Sequence, residues 1–217
     1  MAPPIDQLTA QQLDLQFGTN TLGHLLFIRL LYPLLVSTTT PEDPGRIVWI
    51  SSSIHYLFNP PIKYEWITDT EVRREQDPLS LYGQSKFAIV QLVRALQREL
   101  CEDDGVVVFS VDPGFIKTGL QRHNKSIIVG ILVKPRPKLR FLRLTRRRQL
   151  HFLLGSDVGL GALTQLYAAA EPSALQYKGG HLCPWARAEE PHEGTKDVTE
   201  QKKLWDYCHG ILKPWLA

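Results

Sequence analysis

Tyr82 and Lys86 lie four residues apart at what reads as a helix start, so their side chains leave the same face. An ammonium beside a phenol favours the phenolate, which predicts a tyrosine pKa below its ordinary value of about 10. Such a tyrosine is a candidate general acid and base near neutral pH. Thirty residues earlier, the run Arg46-Ile47-Val48-Trp49-Ile50 ends in Ser51-Ser52-Ser53. Open α/β sheets bind ligands beyond the carboxyl ends of their strands, where Ser52 would sit. Its hydroxyl could hold a substrate oxygen while charge develops there. A tyrosine and a lysine at this spacing occur by chance in many helices. The serine and a downstream strand ending in Pro-Gly are what give the pair weight.

The elements that must position these groups follow from local pattern. Arg46 to Ile50 is β-branched and aromatic, as expected of a buried strand, and Val106 to Val111 is the most strand-like run in the chain. Between them, Ile89, Val93, Leu96 and Leu100 recur at helical spacing from about Leu81 to Leu100, and Asp103-Asp104-Gly105 ends that helix. Strand, helix and strand in this order predict a parallel pair joined by a helical crossover. Residues 53–80, with Pro60, Pro61 and Pro78, read as a long surface excursion. Upstream, Ile5 to Val36 reads as two helical stretches. Asp6 caps the first, and the second runs from about Asn20 to Pro33, buried on more than one face. Leu163 to Ala170, a short strand near His181 to Cys183, and a helix from Thr199 to Leu212 complete the reading.

At 217 residues the chain suits one well-buried domain. Cys101, Cys183 and Cys208 are odd in number and widely spaced, which argues against a disulfide framework or a zinc site and for a reducing compartment. The opening Met1-Ala2-Pro3-Pro4-Ile5-Asp6 lacks the basic and apolar segments of a signal peptide. Leu22 to Val36, interrupted by His24, Arg29 and Pro33, reads as too short to span a bilayer. The expected location is cytoplasmic or peripheral on a membrane. The net charge of +3 conceals an asymmetry, because eleven Lys and Arg and no acidic residue fall between Asp112 and Asp157.

Together these segments resemble the short-chain dehydrogenase/reductase family over most of the chain. Gln16-Phe17-Gly18-Thr19-Asn20-Thr21-Leu22-Gly23-His24 resembles the helix with that family's active-site asparagine, which maps to Asn20. Ser52 matches the catalytic serine, and Tyr82 with Lys86 the YxxxK pair. Asp112-Pro113-Gly114-Phe115-Ile116-Lys117-Thr118 resembles the Pro-Gly turn that closes over the nicotinamide. The Leu-Gly-His after Asn20 is similar to retinol dehydrogenases and WW-domain oxidoreductases, whereas the Ser–Tyr spacer and Pro184-Trp185-Ala186-Arg187 are similar to fungal relatives.

The resemblance implies an α/β fold, the C-terminal part of a Rossmann-like doubly wound parallel sheet. It implies a single truncated domain over 1–217, with a variable basic substrate lid at 119–156. Tyr82 would exchange a proton with the substrate oxygen, Ser52 orient that oxygen, Lys86 bind the nicotinamide ribose, and Asn20 hold a water linking Lys86 to solvent. Tyr82, Lys86, Pro113, Gly114, Ile116 and Thr118 would contact the cofactor, NADP(H) ahead of NAD(H), with no metal. The substrate would be a hydrophobic carbonyl or alcohol, retinoid-like, lipid-like or xenobiotic. A catalytically inactive fragment or degenerate copy is the alternative.

By the same resemblance, the glycine-rich phosphate loop expected near the start is absent. Gly155-Ser156-Asp157-Val158-Gly159-Leu160-Gly161 has the GxxxGxG spacing, but it follows the active-site segments and reads as a helix-start turn. A sheet lacking its first strands would expose an edge, which predicts a homodimer or aggregation. The apolar and cationic run at 127–148 suits peripheral contact with an anionic membrane or a solvated loop. Nucleic acid is not expected, because no recognised binding fold accompanies the charge.

Overall fold

A computed structural model of the chain describes residues 2–101, 104–116 and 156–216. Thr118, the basic run 127–148 and nearly all of the 119–156 lid lie outside the described residues.

The α/β expectation holds. Strand β1 (Arg46–Ile50) pairs in parallel with β2 (Val107–Val111), with Arg46 opposite Val107 and Ile50 opposite Val111. Strand β3 (His181–Cys183) adds to the far side of β2 in parallel, and β4 (Arg187–Ala188) closes antiparallel on β3. The order is β1-β2-β3-β4, so β1 is an edge among the described residues. That corrects the expectation of a buried strand. Trp49 is buried, but Arg46, Ile47 and Val48 are half-buried and Ile50 is exposed.

Alternation along the strands divides the core in two. Ile47, Trp49 and Val108 face one layer with Phe87, Leu92 and Leu96. Val48, Val107, Phe109 and Val111 face another with Ala168 and Leu182. The crossover between β1 and β2 is helix α2 (Pro78–Leu96), running on through a π-helical turn, Gln97–Cys101. Pro78 at its first turn lacks only a donor that would be unpaired there anyway. Helix α3 (Val158–Ala170) covers the other face, and α4 (Val198–Leu212) packs on the α2 side.

Three expectations fail upstream and in the connection. Residues 5–14 are turns and bridges, not a helix, and Asp6 caps nothing. Asp14 is the cap, accepting from Gln16 N at 3.1 Å and Phe17 N at 2.8 Å, because Arg73 reaches it and makes a buried carboxylate tenable there. Its helix runs from Leu15 through a π-helical segment, Gly18–Gly23, into α1 (His24–Thr38) and past Pro33. At 24 residues the whole run is long and apolar enough to cross a membrane by length and composition, and only 22% of its most apolar window is buried. Burial on more than one face is therefore not what is found. Residues 53–80 are not a surface excursion either, since Ile54, His55, Phe58, Ile62, Ile67 and Arg73 are buried.

Candidate active site

Strand ends and one helix bring the sequence-predicted residues together. Ser51 continues the ladder beyond β1, its N–H donating to Val111 O at 2.7 Å, and its hydroxyl donates to Lys86 O at 2.9 Å. These two bonds fix α2 against the end of β1. Ser52 follows in extended conformation, capping the 3-10 turn Ser53–Leu57 by accepting from Ile54 N. From there its hydroxyl lies near enough to that of Tyr82, on the first turns of α2, to favour the phenolate. One helical turn on, Lys86 Nζ donates to Ile50 O at 2.9 Å and lies 5.7 Å from the Tyr82 ring centroid.

Electrostatics at Tyr82 correct the expected sign. Burial pushes the phenol up to about 12, and the Asp112 carboxylate adds to this, against a smaller lowering by Ser52. Lys86 is itself pulled down to about 8 by burial, with Asp112 opposing, and its ammonium is held on a backbone carbonyl. Desolvation therefore outweighs the neighbouring positive charge. The neutral phenol and the ammonium are the forms this geometry favours at pH 7.

Asn20 sits on the π-helical turn before α1, and its side chain reaches Ser85 rather than Lys86. Nδ2 donates to Ser85 Oγ at 3.1 Å, and that hydroxyl donates to Tyr82 O at 2.8 Å. The Asn20 carbonyl accepts from Trp49 Nε1 at 3.3 Å, tying the turn to β1. Thr21 Oγ1 adds a bond to Ser85 O.

Asp112, which sequence reasoning places in the Pro-Gly turn without a role of its own, proves central. It is buried and accepts from Gly114 N at 2.9 Å, and the Ser53 N–H and hydroxyl nearby favour its charged form. It thus stands at the ends of β1 and β2, close enough to Tyr82 and Lys86 to act on both. Burial raises its pKa despite these donors. An acidic residue directly before Pro-Gly at a strand's carboxyl end was the available signal. Gly114 has φ +83°, and a Cβ there would lie 2.8 Å from Pro184 Cγ, so both conformation and space require glycine. Pro113 precedes it, half-buried, and Ile116 bridges in parallel to Ser156.

The Gly155 to Gly161 motif is a helix start over its described part. Asp157 caps α3, accepting from Gly159 N at 2.6 Å, and Gly161 lets α3 approach Ile116, whose Cδ1 would be 2.7 Å from an added Cβ. Behind Ser52 lies a pair of buried histidines that sequence reasoning missed. His55 Nδ1 is 2.7 Å from Ser52 O, and its ring lies 4.8 Å from that of His181, whose Nδ1 is 2.9 Å from Ser110 Oγ.

Known proteins share this arrangement's sequence. The short chain dehydrogenase family profile matches residues 72–127, the stretch holding Tyr82, Lys86, Pro113 and Gly114. A short-chain dehydrogenase/reductase of Armillaria gallica is 33% identical over 215 residues, covering 99% of this chain and 62% of its own length. This chain belongs to the short-chain dehydrogenase/reductase family. Other relatives in the family include human retinol dehydrogenase 14, 31% identical over 210 residues (94% of this chain, 55% of that protein). Mouse polyprenol dehydrogenase is 30% identical over 198 residues (91% and 53%). The chain thus spans little more than half to three fifths of these relatives' length. The fold matches the crystal structure of an uncharacterized protein from Mycobacterium paratuberculosis with a TM-score of 0.63 at 24% identity, over 98% of this chain and 63% of that one.

The family implies a nicotinamide cofactor. Tyr82, Ser52 and the Lys86 ammonium offer hydroxyl and N–H donors at the ends of parallel strands, and Gly114 leaves a turn with no side chain. These fit the nicotinamide-ribose end. Among the described residues, no glycine-rich turn joins a strand to a helix in a way that fits the pyrophosphate.

Proposed function

We propose that this chain carries the substrate and nicotinamide half of an oxidoreductase that interconverts a hydrophobic carbonyl and its alcohol, with NADP(H) ahead of NAD(H). The observation that carries the reading is the convergence of Ser52 and Tyr82 at the strand ends with Lys86 one turn away. Retinol dehydrogenase 14 and polyprenol dehydrogenase are named for long apolar alcohols, which supports that substrate class. The preference for NADP(H) rests on the family resemblance alone.

The bound cofactor would supply or accept the hydride. Ser52 Oγ orients the substrate oxygen. Tyr82, neutral at pH 7, donates its proton to that oxygen in the reducing direction. Lys86 binds the ribose, and Asn20 steadies the first turns of α2 through Ser85. With Tyr82 held near 12, alcohol oxidation, which needs the phenolate, rises with pH through 9 and 10, whereas carbonyl reduction does not.

The test is titration of NADPH and NADH into the folded chain, followed by Tyr82→Phe. The variant keeps cofactor affinity and loses roughly 100-fold or more in turnover. A folded chain that binds neither cofactor refutes the enzyme reading. It favours the second reading, a non-catalytic member, for which the missing pyrophosphate turn among the described residues is the supporting observation. Peripheral membrane contact through 127–148 is a further proposal, tested by salt-sensitive co-sedimentation with anionic vesicles.

A further inference from the structure

The buried histidines behind Ser52 take no part in the proton transfer proposed above. His55 lies on the 3-10 turn Ser53–Leu57 and is wholly buried. Its backbone N–H donates to Ser52 O at 3.1 Å, and its Nδ1 lies 2.7 Å from the same oxygen. On the other edge of the ring, His192 N–H donates to Nε2 at 3.4 Å. A carbonyl oxygen can only accept, and a backbone N–H can only donate. The two contacts therefore select one tautomer, the neutral imidazole with its proton on Nδ1.

We infer that His55 is a positioning residue for Ser52, holding the serine's carbonyl so that its hydroxyl stays turned toward Tyr82. Its catalytic consequence rests on the oxidoreductase reading, whereas its geometry rests on these hydrogen bonds alone. Ser51 is bonded to Val111 O and Lys86 O, and Ser52 is the first residue beyond that anchor. Two donors from His55 converge on the Ser52 carbonyl, which fixes the plane of the 52–53 peptide. The N–H at the other end of that peptide belongs to Ser53 and favours the charged form of Asp112. His55 and Asp112 thus act on opposite ends of one peptide unit beside Tyr82.

The partner behind His55 is itself held. His192 Nδ1 accepts from Gly194 N at 3.0 Å, and its ring packs 5.6 Å from that of Phe87 on α2. Gln91, one turn further along α2, donates to Gly194 O at 3.3 Å, and Tyr56 OH donates to Glu190 O at 2.8 Å. His181 packs edge-on at 4.8 Å, with its Nδ1 on Ser110 Oγ and its Nε2 without a partner. It competes for neither nitrogen of His55. The network lies inside the fold, so it does not depend on what covers the surface.

If His55 only filled space, variants of similar bulk would behave alike, whereas positioning requires a donor where Nδ1 stands. His55→Asn places an amide N–H there, and His55→Leu fills the site without one. Nitrogen-15 NMR of wild type at pH 7 should show the His55 proton on Nδ1. A proton on Nε2, or an imidazolium, overturns the proposal even where His55→Leu does not fold. Without cofactor, the Tyr82 Cζ signal, assigned by its loss in Tyr82→Phe, and the Ile54 amide, whose N–H meets Ser52 Oγ at 3.3 Å, read where that hydroxyl points. Both should move in His55→Leu and return toward wild type in His55→Asn. In carbonyl reduction, His55→Leu should lose roughly 10–100-fold in kcat with KM changed less than about 3-fold, and His55→Asn should recover most of the loss. Equal shifts and losses in the two variants, or unmoved signals in His55→Leu, overturn the proposal. A wild type that does not turn over refutes the oxidoreductase reading instead, and the spectra then decide the placement of Ser52 by themselves.

Discussion

Acidification from pH 7 to pH 5 should destabilise this protein through His55 and His181. Burial holds the two imidazoles neutral, His55 at about 4 and His181 at about 3, with His192 opposing charge on the first and His55 and Arg94 opposing it on the second. Their rings are 4.8 Å apart, and Tyr56 lies 4.0 Å from His55. An unfolded histidine takes its proton near 6.5, so the unfolded state binds more protons than the folded one below that value. Stability is therefore complete above about pH 6.5 and falls as pH drops toward the folded values. Between pH 7 and pH 5 each histidine costs about 2 kcal/mol, about 4 kcal/mol for the pair, against a typical total of 5–15. Asp14 and Asp112 act in the opposite sense. Burial raises both, so protonating them relieves a cost of the folded state and flattens the curve at the acid end.

Urea denaturation at pH 7, 6 and 5 measures this directly. With a slope of about 2 kcal/mol per molar, the midpoint should fall by roughly 2 M across the range. His181→Gln, which cannot titrate, should remove about half of that fall whatever its effect at pH 7. A midpoint that does not move between pH 7 and pH 5 would refute the reasoning, as would NMR titration of either imidazole near 6.5.

Three other substitutions probe separate parts of the argument. Asp14→Ala removes both the cap at Leu15 and the partner of buried Arg73, 3.2 Å away, and should cost about 3–5 kcal/mol in urea denaturation. Gly114→Ala forces a Cβ against Pro184 at φ +83° and should cost about 1–3 kcal/mol while weakening nicotinamide binding more than Pro113→Ala does. Gly159→Val, on the exposed start of α3, should leave cofactor affinity unchanged; a loss of binding there would restore the glycine run as a phosphate loop.

Local pattern made much of the fold legible. The β-branched runs at 46–50 and 107–111 and the helical period between them determine the parallel pair and its crossover, and they hold in the structure. What was misread depends on distant partners. The sequence points to Asp6 as the cap, but the cap is Asp14, which pairs with Arg73 far along the chain. Pro33 looked like a helix end, yet α1 continues past it to Thr38. The connection at 53–80 looked polar, yet it supplies Ile54, Phe58, Ile62 and Ile67 to the core, and no short-range spacing records that. Strand β4 is two residues long and escapes any periodicity.

The candidate site divides along the same line. Tyr82 and Lys86 are neighbours on one helix, so their proximity follows from spacing alone. Ser52 meets Tyr82 only because Ser51 locks α2 to the end of β1. The sign of the Tyr82 shift could not be read from the lysine, because it depends on how much water the fold removes. Asp112 carries that lesson furthest. A carboxylate at the end of β2 reaches Ser53 beyond β1 and Gly114 in the next turn, and it opposes proton loss from both Tyr82 and Lys86. Replacing it with Asn keeps much of the hydrogen bonding and removes the charge, so Tyr82 and Lys86 should both titrate lower. Alcohol oxidation would then rise at a lower pH than in wild type, and an unshifted profile would mean that burial alone sets the tyrosine.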